Sequence, residues 1–247
     1  MSRQPIFNVP GGVTIAIALM ALVHVGLAML PEEQSLIAKL ILSFRPTRFT
    51  GEIGLPFHEP PGGIVWSLIT HQFVHGDVTH LIMNSAWLLA FGGALAKRIG
   101  NWRFALLGLA SGIAGALTFL AFRYNDPLPM VGASGAVSGL MGAAFRFFFN
   151  DENYGGSGSL RVDPGSVPRM SLRETFTNRN VLFVIAIWVV LNFITAAAAH
   201  LITSGAGIAW EAHLGGFLFG ILAFGLFDPP RRPEPDWMSE PMGRTLH

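Results

Sequence analysis

Cysteine is absent from this 247-residue chain, so a disulfide framework, thiol catalysis and thiolate metal sites are excluded together. Charge is nearly as scarce. Asp, Glu, Lys and Arg supply 13% of the residues, where a soluble domain carries about 25%. The net charge is +1 and there is no long basic run, so no nucleic-acid partner is expected. What the chain has instead is apolar: 51% hydrophobic residues, with 20 Phe and 6 Trp, and a mean hydropathy of +0.49. That is the reverse of the signature of disorder. The expected class is an all-α polytopic membrane protein, with the lipid bilayer as its surroundings.

Apolar runs near the length that crosses a ~30 Å hydrocarbon core occur at about 12–30, 80–96, 102–122, 134–149, 181–199 and 208–227. They predict a six-transmembrane-helix bundle. The first run follows Arg3 but is long for a signal sequence and lacks a clear small-x-small cleavage site, so it reads as a retained helix. Twelve of the 16 Lys and Arg residues fall on one side of this arrangement, in the segments around Arg3, Lys97 to Arg103, Arg146 to Arg179 and Arg231 to Arg244. The positive-inside rule makes that side cytoplasmic, both termini included.

The expected organisation is a cytoplasmic N-terminus at 1–11, a membrane domain at 12–227 and a cytoplasmic tail at 228–247. Within the domain, 31–79 reads as a first loop lying in the outer interface. There Pro31, Glu32 and Glu33 open a short helix whose Leu36, Ile37, Leu40, Ile41 and Phe44 share a face. Residues 150–179, rich in Gly, Pro and Ser, read as a mobile cytoplasmic loop. No internal repeat is evident, which takes away the main support for an inverted-repeat transporter.

Polar groups inside spans are costly in hydrocarbon, so each is a candidate for function. They are His24, His80, Asn84, Ser85, Ser111, Thr118, Ser134, Ser138, Asn192, Thr195, Glu211 and His213. His80 and Asn84 stand four apart, on one helix face, and two converging donors suit an oxyanion, although polar contacts between helices would use the same spacing. In the fourth run Ser134 precedes a stripe of Gly135, Gly139 and Gly142; in the sixth, His213 opens another with Gly216 and Gly220. Glycine-faced helices approach closely. Such packing would bring the Ser134 hydroxyl within reach of the His213 imidazole, as an activated serine requires. Taken singly, Ser134 also fits a packing residue and His213 an interhelical hydrogen bond.

Three motifs together resemble the rhomboid family of intramembrane serine proteases, over about residues 61–227: Gly132-Ala133-Ser134-Gly135, Ala212-His213-Leu214-Gly215-Gly216, and His80-Leu81-Ile82-Met83-Asn84 preceded by His75. The resemblance implies a six-helix bundle with a short fourth helix starting inside a water-filled cavity, and a loop over 127–132 dipping into the membrane. It implies Ser134 as nucleophile and His213 as general base of a Ser-His dyad. It also implies Asn84, His80 and the Ser134 N–H as oxyanion donors, with a structural role for His75. Neither metal nor cofactor is implied, and the partners would be transmembrane-protein substrates.

The chain departs from the family pattern at three positions. Ala96 stands where many members have glutamate, Ser67 follows Trp66 where a Trp-Arg pair is common, and Ser138 takes the place of an aromatic residue that packs on the catalytic histidine in some members. Zinc proteolysis would require His-Glu-x-x-His within a span, and aspartyl proteolysis two intramembrane aspartates; neither pattern occurs. Rhomboid-like proteins that bind clients without cutting them generally lack the serine or histidine, and both stand here. The fifth helix and the Gly-containing loop at 200–207 read as the route for substrate. A bacterial plasma membrane is the expected location.

Overall fold

The computed structural model describes residues 9–50, 60–150, 163–202 and 208–228. Helices account for nearly all of it. The first, α1 (Gly11–Ala28), starts after Pro10, and α2 (Glu32–Leu42) after Pro31; proline's fixed φ suits a helix start. Two short helices follow, α3 (Thr47–Thr50) and α4 (Gly63–Thr70), the latter leading into a 3₁₀ turn at His71–Phe73. Asp77 caps α5 (Val78–Trp87) by accepting from the His80 N–H at 2.8 Å. The rod continues through a π-helical turn, Leu88–Gly92, into α6 (Gly93–Ile99). Beyond it lie α7 (Asn101–Phe122), α8 (Ser134–Phe148), α9 (Leu172–Thr177), α10 (Arg179–Ile202) and α11 (Trp210–Phe227).

Five of these segments are long and apolar enough to cross a membrane: Gly11–Ala28, Val78–Ile99, Asn101–Phe122, Arg179–Ala198 and Trp210–Phe227. The protein is therefore an all-α, polytopic membrane protein. The fourth apolar run, expected to cross like the others, forms α8, whose 15 residues extend only about 22 Å at 1.5 Å per residue. Its burial explains why it reads as a span. Every residue from Gly135 to Phe147 is buried, because α8 sits at the centre of the bundle with α7 and α11 against it. In contrast, α10 lies at the edge, and Val181 and Asn192 are its only buried side chains among those described.

Polar staples fix the ends of the bundle. At one end Arg98 grips Asp228 with both arms of its guanidinium, Nε to Oδ1 at 2.8 Å and Nη2 to Oδ2 at 2.9 Å, and donates to the Pro164 and Val167 carbonyls. Arg146 similarly donates to Met170 O and Ile221 O. The described part of the 150–179 stretch, expected to be a mobile connector, is thus tied to the bundle, with Val167 and Met170 buried beneath it. Arg98 also lies over the Phe147 ring. It stands two residues from Ala96 and supplies a polar anchor in the region where the family pattern has its glutamate.

Removing one partner of a buried ion pair strands the other. Arg98→Ala is therefore expected to destabilise the protein by about 3–5 kcal/mol. It should also speed cutting within 163–171 by an added soluble protease; thermal unfolding in micelles and timed digestion read the two effects.

Candidate active site

The segment leading to Ser134 is irregular backbone, and three main-chain hydrogen bonds hold it. Phe44 and Met130 exchange both of theirs, at 3.0 and 2.8 Å, as an isolated antiparallel bridge. Gly132 N–H then donates to His71 O at 2.9 Å. Gly132 has φ +116°, outside the range of ordinary side chains, and a Cβ there would lie 2.6 Å from His80 Nε2 and 3.8 Å from Asn84 Nδ2. Glycine at 132 thus lets the side chains of His80 and Asn84 close on the loop two residues before Ser134.

Both α5 residues are set from below. Asn84 is buried and its Nδ2 donates back to His80 O at 3.0 Å. The His75 ring, fully buried, meets that of His80 edge-on at 5.1 Å. Burial pushes the His75 imidazole down to about 4, with the neighbouring His80 adding to the effect. It is therefore uncharged at neutral pH and supports His80 by packing. His71, lowered to about 4 by its own burial, donates from Nδ1 to Ser67 O at 2.7 Å.

Ser134 is the first residue of α8 and is half-buried. The opening N–H groups of a helix have no acceptor within it, and those of Ser134, Gly135 and Ala136 occupy that position here. The next helix passes extremely close. A Cβ on Gly216 would collide with Gly135 O, one on Gly220 with Gly139 O, and one on Gly135 would lie 3.4 Å from Ala212 O. The glycine stripes of α8 and α11 thus face each other backbone to backbone. Between Gly135 and Ala212, the chain neighbours of Ser134 and His213, there is room for little more than one methyl group. Among the described residues, the Ser134 hydroxyl makes no hydrogen bond.

His213 Nδ1 does have a partner: Asn192 Oδ1 on α10, 2.7 Å away. In the sequence Asn192 stands only as a polar residue within a span, with no role attached to it. A carboxamide in so apolar a run was the available signal; its partner, 21 residues on, could be found only in the fold. Ser138, the third departure from the family pattern, is buried on α8. Beside the Trp-Arg departure, Arg48 lies over the Trp66 ring at 5.1 Å and donates to the Ser43, Leu40 and Ile41 carbonyls at the end of α2. Near His213, the buried Glu211 accepts from Arg123 Nε at 2.7 Å, latching the first turn of α11 to the end of α7. The loop expected to admit substrate lies outside the described residues over 203–207. Among the described residues, no three His, Asp or Glu side chains form a group able to hold a metal ion.

Comparison with known proteins gives a consistent result. A family model described as the rhomboid domain matches residues 62–228. The rhomboid protease GluP of Bacillus subtilis is 38% identical over 78 residues, 32% of this chain and 15% of that protein. RHOMBOID-like protein 4 of Arabidopsis thaliana is 41% identical over 85 residues, 34% of this chain and 21% of its own length. The rhomboid protease GlpG of Haemophilus influenzae is 29% identical over 90 residues, 36% of this chain and 45% of that one. In each case the matched stretch spans less than half of the curated relative.

Proposed function

The chain belongs to the rhomboid family of intramembrane serine proteases, and on that premise we propose that it is an endopeptidase cutting other membrane proteins in or beside their transmembrane segments. Ser134 attacks the scissile carbonyl. His213 takes the hydroxyl proton and returns it to the leaving amine, completing a two-residue relay. Asn84, His80 and the Ser134 N–H hold the developing oxyanion, aided by the positive end of the α8 dipole. The observation that carries this reading is the closure of His80 and Asn84 on Gly132, two residues before the first turn of α8, whose Gly135 in turn lies close to Ala212 beside His213.

In this reading α8 is the sixth, short member of the bundle, beginning at the floor of a cavity lined by irregular backbone. Side chains and water suffice for the reaction. A substrate helix shields its peptide bonds with its own hydrogen bonds, so the cut falls where the helix unwinds readily, near Gly or Pro. The membrane is a bacterial plasma membrane with the Arg-rich ends in the cytoplasm, where the positive-inside rule puts them.

Co-reconstitution into liposomes with a single-span model substrate tests the reading. Two fragments are expected, cut in or beside the span. Asn84→Ala should lower kcat by about 10²–10³-fold, the usual loss for one oxyanion donor, with little change in KM. A folded protein that binds such substrates and leaves every one intact would overturn the assignment in favour of client binding.

A further inference from the structure

Asn192 is an anomaly on α10. The helix is apolar and turned outward, yet this carboxamide is only 8% exposed. Such a group is costly to bury unless both its ends are paired, and both are. Its Nδ2 donates to Trp210 O at 3.3 Å, and its Oδ1 lies 2.7 Å from His213 Nδ1. The Trp210 carbonyl can only accept, so the amide nitrogen faces it and the amide oxygen faces the imidazole. That oxygen can likewise only accept, so His213 Nδ1 must carry a proton. In a neutral imidazole the lone pair is then on Nε2, the opposite edge of the ring.

We propose that Asn192 is a positioning residue that fixes the tautomer and ring orientation of His213; the inference rests on the protease reading, in which His213 is the base. A neutral imidazole without a partner at Nδ1 divides between two tautomers and can turn about its side-chain torsion. Only the form with a free Nε2 lone pair on the serine side can take the proton. Asn192 selects that form.

The bond also links proton transfer to the seating of α10. That helix meets α11 through Trp188 stacked on Phe217 at 4.5 Å and Phe193 against Trp210 at 4.7 Å, with Asn192 between them in sequence. A hydrogen bond is lost by about 3.6 Å, so a displacement of α10 by roughly one ångström releases the base. His213 is aimed only while α10 is in place.

The test uses the full chain in micelles or liposomes, comparing Asn192→Ala and Asn192→Asp with the unmodified protein. Asn192→Ala is expected to lower kcat on the order of 10²-fold, within the range for a general base, with KM changed by less than about twofold. Asn192→Asp retains the acceptor toward His213 but sets a second oxygen against Trp210 O in place of the donor, so it should recover part of the loss and restore the Nδ1–H form. The ¹⁵N resonances of His213, identified by subtracting the spectrum of His213→Gln, should report Nδ1–H in the unmodified protein and a tautomer mixture in Asn192→Ala. An Asn192→Ala protein with unchanged kcat and an unchanged tautomer would overturn the proposal. So would an Asn192→Ala protein whose kcat, KM and thermal midpoint all worsen together while the His213 tautomer is unchanged, since that describes a helix anchor. If the unmodified protein cuts nothing, the protease reading fails, and the ¹⁵N comparison still decides whether Asn192 sets the His213 tautomer.

Discussion

Replacing Gly220 by valine is expected to prevent the native bundle from forming. The first added carbon would fall on the Gly139 carbonyl oxygen, and Gly139 in turn faces Gly216 O and the Ser111 side chain. Backbone atoms at a helix centre cannot rotate aside as a side chain can, so α8 and α11 would have to separate along their whole contact. Ordinary overpacking costs about 1–3 kcal/mol. Here the parting also forfeits the close van der Waals contact that replaces a hydrophobic driving force between membrane helices. A loss of several kcal/mol is comparable with the ~5–15 kcal/mol that holds a domain together. Gly93→Ala is the matched control. It adds a methyl where nothing lies within 4 Å, and the higher helix propensity of alanine should leave stability unchanged or raise it by up to about 1 kcal/mol. Thermal unfolding in micelles separates the two. A Gly220→Val protein melting with the unmodified one would mean that α8 and α11 are not packed as described.

Ser134→Ala is expected to abolish cleavage of a reconstituted substrate, lowering kcat by at least about 10⁴-fold, as when a serine nucleophile is removed elsewhere. The loss should come without a loss of folding. Ser134 is half-buried at the start of α8, and its hydroxyl makes no hydrogen bond among the described residues that alanine would break. His213→Ala should cost about as much, because nucleophile and base act as a unit. The double variant should be no slower than either single one. A Ser134→Ala protein retaining more than about one per cent of the unmodified rate would show that another group attacks the carbonyl.

The sequence exposes those parts of this molecule that follow from local chemistry. Proline before Glu32 and the long apolar runs mark helices without reference to anything distant; the Asp77 cap, three residues ahead of the second run, emerges only in the structure. The facing of α8 and α11 follows from glycine spacing, since Gly135 and Gly139 on one helix and Gly216 and Gly220 on the other share a four-residue step. What stayed hidden depends on side chains meeting across the fold. Hydropathy registers that 134–149 is apolar, but not whether lipid or protein surrounds it, so a central 15-residue helix and a true span look alike. Arg98 with Asp228, Arg48 with Trp66 and Asn192 with His213 are separated by 130, 18 and 21 positions. Departures from the family pattern are legible in the sequence; contacts between residues so far apart in it are not.

The proposed mechanism requires Ser134 to be a nucleophile made reactive by His213. A fluorophosphonate, which reacts covalently with an activated serine, tests it without any knowledge of the natural substrate. The folded protein is incubated in micelles and its peptides are mapped by mass spectrometry, beside His213→Ala. One phosphonylated residue is expected, Ser134, with labelling slowed by about 10²-fold or more when His213 is absent, within the range for a general base. Labelling of Ser134 at the same rate in His213→Ala, or labelling of another serine with Ser134 untouched, would show that the two residues do not work as nucleophile and base.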